Sequence, residues 1–346
     1  MIANVENLNK NKINKELSES KEDFLNNFSI DSFCYCHLGN TFCVFKSSNN
    51  GLYLIYSGEN KAIISFDLND NKKINEIKNA HNEYITDFKH YLDQNKKIDL
   101  IMTTSTEDNN IKIWNFKNFE CLLNLEKIYN DGFIYSSSFL LDNNQIYIIT
   151  SNCNWYSNSE NMKVFDLNGK QIKVIKNSNE QILFLDAYYD NILSKYYIII
   201  GTIHYVKSYD YENNEVYHEY YEVYNSFHLN IIIYKKDNII QLIDSSTDGY
   251  IRIWNFHTNA LITKIYVAKG WLYGICLWKE DYLLVGYFKN IKIIDLKKRE
   301  SIKTLESHKN KVITITKFVH PKYGYCFLSQ GYKKDKIKLW LIKNNL

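Results

Sequence analysis

A single proline, Pro321, occurs in 346 residues, and glycine only 12 times. So few breakers leave little room for linkers or low-complexity tracts, and most of the chain is expected to fold. Arginine is nearly absent: of 42 basic residues, only Arg252 and Arg299 carry a guanidinium. Bidentate recognition of phosphate and guanine leans on that group, so a dedicated nucleic-acid binder is disfavoured. The net charge of +3 adds no strong pull toward polyanions. None of the seven cysteines forms a CxxC pair, which reads as buried free thiols in a reducing compartment. There is no Gly-rich phosphate loop, no HExxH and no Gly-flanked serine. His218, His228, His257 and His320 stand singly, without metal-ligand spacing. Neither catalysis nor a metal or other cofactor is expected. No apolar run approaches a membrane-spanning length, and the opening stretch MIANVENLNKNKINK lacks an apolar signal core. The expectation is a soluble protein of the cytoplasm, with the nucleus as a second compartment.

What is present is a repeat. Aligned without gaps, seven segments read AIISFDL (62–68), NIKIWNF (110–116), NMKVFDL (161–167), YVKSYDY (205–211), YIRIWNF (250–256), NIKIIDL (290–296) and KIKLWLI (336–342). The fifth column holds Phe66, Trp114, Phe165, Tyr209, Trp254, Ile294 and Trp340, at intervals of 48, 51, 44, 45, 40 and 46 residues. A period in the forties, closing on an aromatic and an Asp or Asn, is the signature of a propeller built from four-stranded blades. The predicted fold is all-β, a seven-bladed β-propeller of antiparallel blades. An apolar fraction of 45%, with 15% aromatics, is ample for its core.

Between successive anchors the order is constant: a polar turn rich in Asp, Asn and Gly, then further turn-bounded strands. In blade two the strands are placed at 85–88, 100–104, 111–114 and 121–125, from innermost to outermost. Lysine or arginine fills the third column in six copies: Lys112, Lys163, Lys207, Arg252, Lys292 and Lys338. A two-residue period puts it beside the aromatic, with its stem over the ring and its head in water. The chain leaves no room for an outermost strand after the seventh anchor, so residues 33–38 are assigned to that place, closing the ring and covering an edge. The propeller then spans 29–346. Residues 1–28 form an extension, helical or disordered, with Ile13, Leu17, Phe24 and Phe28 at helical spacing.

These residues resemble the WD-repeat family across nearly the whole chain. Its terminal dipeptide is matched by Trp114-Asn115, Trp254-Asn255, Phe66-Asp67, Phe165-Asp166, Tyr209-Asp210 and Ile294-Asp295, and its Gly-His mark by Ala80-His81 and Ser307-His308. The resemblance implies a structural tetrad in blade two: His81, Thr104 or alternatively Thr106, Asp108 and Trp114. Blade five keeps Ser246, Asp248 and Trp254, with Asn225 near the histidine position, so its network is expected to be weaker.

Family resemblance also implies partner binding on the wide face, formed by the loops entering each innermost strand and those between the second and third strands. On that face lie Trp155 and Tyr156 in the long loop SNCNWYSNSEN (151–161), then Lys269 and Trp271, Tyr287, and Tyr332 with Lys333. Aromatic anchors rimmed by lysine suit an apolar-containing, acidic protein or peptide. The expected function is a non-enzymatic interaction scaffold or adaptor, a monomeric subunit of a larger complex with no membrane insertion. The competing class is an RNA-associated propeller subunit of a ribonucleoprotein.

Overall fold

The structure is a computed structural model that describes residues 29–34, 41–130, 132–142, 144–153, 162–176, 181–222 and 226–341. Seven four-stranded antiparallel sheets are arranged as the blades of a ring. In blade two the strands run Ile85–Asp93, Ile98–Ser105, Asn110–Asn115 and Cys121–Leu125 from centre to rim. The seven repeated segments are the third strands, from Ile63–Asp67 in blade one to Lys333–Leu341 in blade seven. Among the described residues, no helix is long and apolar enough to cross a membrane.

Each column of the repeat has a physical task. Column five enters the core: Trp114, Phe165, Tyr209, Trp254 and Ile294 are buried. Column six caps a turn. Oδ1 of Asp67, Asn115, Asp166, Asp210, Asn255 and Asp295 accepts the backbone N–H two residues on, at 2.8–3.0 Å, fixing the hairpin to the outermost strand. The seventh copy has Leu341 there. Its outer neighbour is a strand from elsewhere in the chain, so no hairpin needs a cap.

Column three departs from expectation. Lys112, Lys163 and Lys292 do not send their ammonium groups to water; they donate to the carbonyls of Ala80, Ile128 and Val267 at 2.7–3.0 Å. Lys338 does the same to Ser307. All four carbonyls lie in the segment that crosses from the preceding blade into the innermost strand. The lysine therefore bolts each blade to the crossover that feeds it, satisfying a carbonyl that no ladder reaches. Lys207 pairs instead with Glu219, and Arg252 with Glu222 and Asp248.

Apolar clusters fill every junction between neighbouring blades, as a radial sheet with two buried faces requires. Ile55, Phe88 and Trp114 join blades one and two, and Leu100, Ile113 and Ile148 join two and three. Junction seven to one unites Phe42, Leu54 and Leu68 with Phe318, Leu328 and Ile337. His320 Nε2, 3.0 Å from the carbonyl of Leu68, adds a polar staple there. The fourth strand of blade seven is Ser29–Cys34, antiparallel to Lys333–Leu341 with Ser29 opposite Lys338 and Cys34 opposite Lys333. This strand begins four residues before the expected 33–38; residues 35–38 and the extension 1–28 lie outside the described residues.

In blades one to six, the pairing of third and fourth strands slips immediately before column five. The extra residue is Ile74, Leu122, Ile172, Tyr217, Ile262 or Ile302, apolar in every case. Such bulges sharpen the local twist and turn the surplus side chain out of the ladder. Ile74, Leu122, Ile172 and Ile262 consequently stand among the exposed hydrophobics. The cysteines need a correction too. Cys153, Cys276 and Cys326 are buried free thiols, whereas Cys43 is half-buried and Cys121 lies exposed on the outermost strand of blade two.

Candidate functional site

The tetrad is a structural network, and its hydroxyl is not the expected one. Trp114 Nε1 donates to Thr103 Oγ1 at 2.9 Å, and His81 Nε2 lies 2.7 Å from the same oxygen. Asp108 Oδ2 is 3.7 Å from His81 Nδ1. Thr103 pairs with Lys112 in the ladder, and so shares a face with Trp114 two residues on. Thr104 points the other way, to Ser137 of blade three at 2.5 Å, and Thr106 meets Thr86 at 2.8 Å. Burial works to raise the Asp108 carboxyl, but the neighbouring His81 and Ser105 side chains and the backbone N–H of Asn82, 3.1 Å from Oδ2, outweigh it and hold it below the usual range. His81 itself is pushed down by burial.

Blade seven carries a second complete set that sequence reading missed. Trp340 Nε1 donates to Ser329 Oγ at 2.7 Å, His308 Nε2 is 2.8 Å from that oxygen, and Asp335 lies 3.4 Å from His308 Nδ1. Only the Ser307-His308 pair signalled it. Blade five has a third arrangement, in which Asp244 replaces the hydroxyl and accepts from Trp254 Nε1 at 2.7 Å and His228 Nδ1 at 2.9 Å. Asn225 lies outside the described residues. His81, His308 and His228 are thus each engaged in a hydrogen-bond network within their own blade.

Five expected contact residues come together on the wide face of blades five to seven. Trp271 enters blade six 41% exposed, and Phe288, in the neighbouring loop, is 51% exposed, which removes both from the core. Tyr287 donates its hydroxyl to the carbonyl of Lys269 at 3.2 Å, tying the two loops of blade six. Phe227 of blade five meets Trp271 edge-on at 6.0 Å. From blade seven, Lys311 places its ammonium 5.3 Å from the ring centres of both Trp271 and Tyr273, a cation over two aromatic faces. Tyr332 donates its backbone N–H to the carbonyl of Lys311 at 2.7 Å, and Lys333 lies 5.6 Å from the Tyr332 ring. Trp155 and Tyr156 lie outside the described residues.

Beneath this surface an apolar collar joins Cys153, Leu183, Leu229, Tyr273 and Ile313, flanked by Tyr135, Ile203, Phe227 and Tyr332. It draws on blades three to seven at the ends of their strands, and burial pushes the Tyr273 hydroxyl up to about 12. The face is therefore apolar at its centre, with lysine at its rim. Lys311, Phe227 and Tyr273 were missed, because they come from three different blades and only the ring assembles them.

Deeper among the innermost strands, Lys89 lies 3.7 Å from Asp186, to which Ser138 also donates, so blades two, three and four are linked. Burial works to lower the Lys89 ammonium, but Asp186 and Asp87 outweigh it and hold it above the usual range. Among the described residues, no group of three or more His, Cys, Asp and Glu side chains is placed to hold a metal ion. No protein-family model matches the chain, and no curated protein matches its sequence.

Proposed function

We propose that this propeller is a non-enzymatic interaction scaffold or adaptor, a monomeric subunit of a larger assembly, which binds an acidic protein or peptide segment on the wide face over blades five to seven. The β-propeller commonly serves as a protein-interaction scaffold. One observation carries the reading further. Lys311 lies over the exposed ring of Trp271 and Lys333 over that of Tyr332, Lys269 and Lys289 stand in the loops of Trp271 and Phe288, and Lys309 in the loop of Lys311; none of the five is in an ion pair among the described residues. Lysines elsewhere, such as Lys195, Lys236 and Lys264, are paired with carboxylates. Aromatic rings in an uncompensated basic rim suit apolar anchors flanked by acidic residues. Membership of a divergent WD-repeat group belongs to the same proposal, supported by seven aligned strands and the networks of blades two and seven.

The test is comparative affinity purification from the native cell, followed by affinity measurement on the purified partner. Trp271→Ala with Lys311→Glu is expected to weaken binding by about 2 kcal/mol or more, while Lys333→Ala mainly slows association and flattens its salt dependence. A double variant that melts like wild type and keeps full affinity places the interface elsewhere. Association that collapses on nuclease treatment and falls steeply with salt assigns the chain to the RNA-associated class instead.

A further inference from the structure

A bulky aromatic occupies a backbone position in blade two that blades one, three, four and five give to asparagine or glycine. In the turn between third and fourth strands, the left-handed residue is Asn71 in blade one, Gly169 in three, Asn214 in four, Asn259 in five and Arg299 in six; in blade two it is Phe119, at φ 55°. Asparagine and glycine enter that region readily, whereas a bulky ring does so at a cost, and such outliers gather where a side chain is needed for function. Core packing accounts for only part of the ring, which lies on one side against the apolar cluster between blades one and two. Phe119 is only half-buried and touches Phe116 edge-on at 5.5 Å.

Phe119 also walls a groove of about 470 Å³ between blades one and two, on the face opposite the aromatic and lysine surface. That size falls within the range of small-ligand sites, roughly 300–1,000 Å³. Tyr53, Ile74 and Phe116 complete its apolar side, and Lys97 and Lys117 stand at its rim. Both lysines are exposed and neither is in an ion pair among the described residues. The carboxylate lining the groove, Asp99, has both oxygens engaged. Oδ2 accepts from Ser47 Oγ at 2.6 Å, from Ser48 N at 3.0 Å and from Ser48 Oγ at 2.8 Å, and Oδ1 lies 2.8 Å from His90 Nε2. The groove therefore offers ring faces and two lysines with no ion-pair partner among the described residues, beside one carboxylate whose oxygens are turned to Ser47, Ser48 and His90.

We propose that this groove binds an aromatic ring bearing an anionic group, an aryl phosphate or aryl carboxylate, with the ring against Phe119 and Tyr53 and the anion facing Lys97 and Lys117. The site is independent of the wide-face proposal. Its test is ligand-observed NMR on the full chain with phenyl phosphate and benzoate, against benzyl alcohol, benzylamine and inorganic phosphate. Saturable binding of the two aromatic anions is expected, with the comparators at least about tenfold weaker. Phe119→Asn installs the residue that blades one, four and five use here, so its melting temperature should equal or exceed that of wild type while phenyl phosphate binding falls about tenfold or more. Should that variant melt lower, Lys97→Gln with Lys117→Gln decides: loss of binding supports the site and retention overturns it. No saturable binding, or benzylamine binding as well as phenyl phosphate, also overturns it. A tyrosine-phosphorylated peptide that binds more tightly than phenyl phosphate assigns the anion to a partner's side chain; equal or weaker binding assigns it to a free small molecule.

Discussion

Trp254 donates its indole N–H to Asp244 at 2.7 Å, at the place where Trp114 of blade two meets Thr103. The two positions are equivalent in the ladder: Asp244 pairs with Arg252 as Thr103 pairs with Lys112. A buried carboxylate in place of a hydroxyl calls for buried positive charge, and Arg252, opposite Asp244 in the ladder, supplies it at 1% exposure while bonded to Asp248, Glu222 and Ser246. Blade five has thus placed a charged pair where blade two has a neutral hydroxyl.

The exchange reverses the expectation that Asp248 matters less than Asp108. Removing one partner of a buried ion pair costs about 3–5 kcal/mol, whereas orphaning a neutral hydrogen-bond partner costs about 1–3 kcal/mol. Glu222 still holds Arg252, so Asp248→Ala should fall near the lower end of the first range, yet above Asp108→Ala. Denaturant melts of both variants measure the difference, and a smaller loss at Asp248 would contradict the ionic network.

Lys112 separates two accounts of the third column. If the side chain only covers the Trp114 ring, 5.9 Å from its ammonium, Lys112→Met keeps the stem and is close to neutral. Because Lys112 also donates to the carbonyl of Ala80, Met should destabilise by about 1.5–3 kcal/mol, the value of a hydrogen bond from a charged group. Hydrogen exchange should show the amides of residues 80–84 opening before the rest of blade two.

Closure rests on the strand Ser29–Cys34. Deleting residues 1–34 bares the outer edge of Lys333–Leu341 and should cause aggregation or loss of a single cooperative unfolding transition. Deleting residues 1–28 leaves every described strand pairing in place and should unfold as the full chain does. Identical melts for the two truncations would remove this strand from the account of stability.

Acid should weaken the ring in two stages. His81, His90 and His320 are all pushed below the usual value of 6.5, chiefly by burial. The unfolded chain therefore takes up protons first, and the stability these residues confer is present above about pH 6.5 and lost as pH falls through their folded values. Asp108, Asp248 and Asp335 are held below 3.8 against the opposing effect of burial, by His81 and Ser105, by Arg252 and Ser246, and by His308 and backbone N–H groups respectively. Their contribution persists above about pH 4 and falls away below it. Urea midpoints at pH 7.5, 5.5 and 4 should decline in that order, and His81→Gln should flatten the upper stage.

The repeat was legible because it is local: a seven-residue strand, its aromatic and its turn-capping Asp or Asn are set by a two-residue period and a hairpin, and both are written along the chain. Seven third strands, four strands per blade and the burial of Trp114, Phe165 and Trp254 follow from that alone. Choosing Thr103 over Thr104 required the pairing register, because a shift of one residue moves a hydroxyl to the opposite face. The outward turn of Ile74 and Ile262 came from bulges that no spacing announces. Lys311 lies over Trp271 only because the ring brings the loops of blades six and seven side by side. Phe119 reads as one more turn residue until the backbone shows it in a conformation that suits asparagine. Sequence decided what each strand is. The ring decided which side chains meet, since contacts between blades join residues tens to hundreds of positions apart, and pairing and closure alone set their faces.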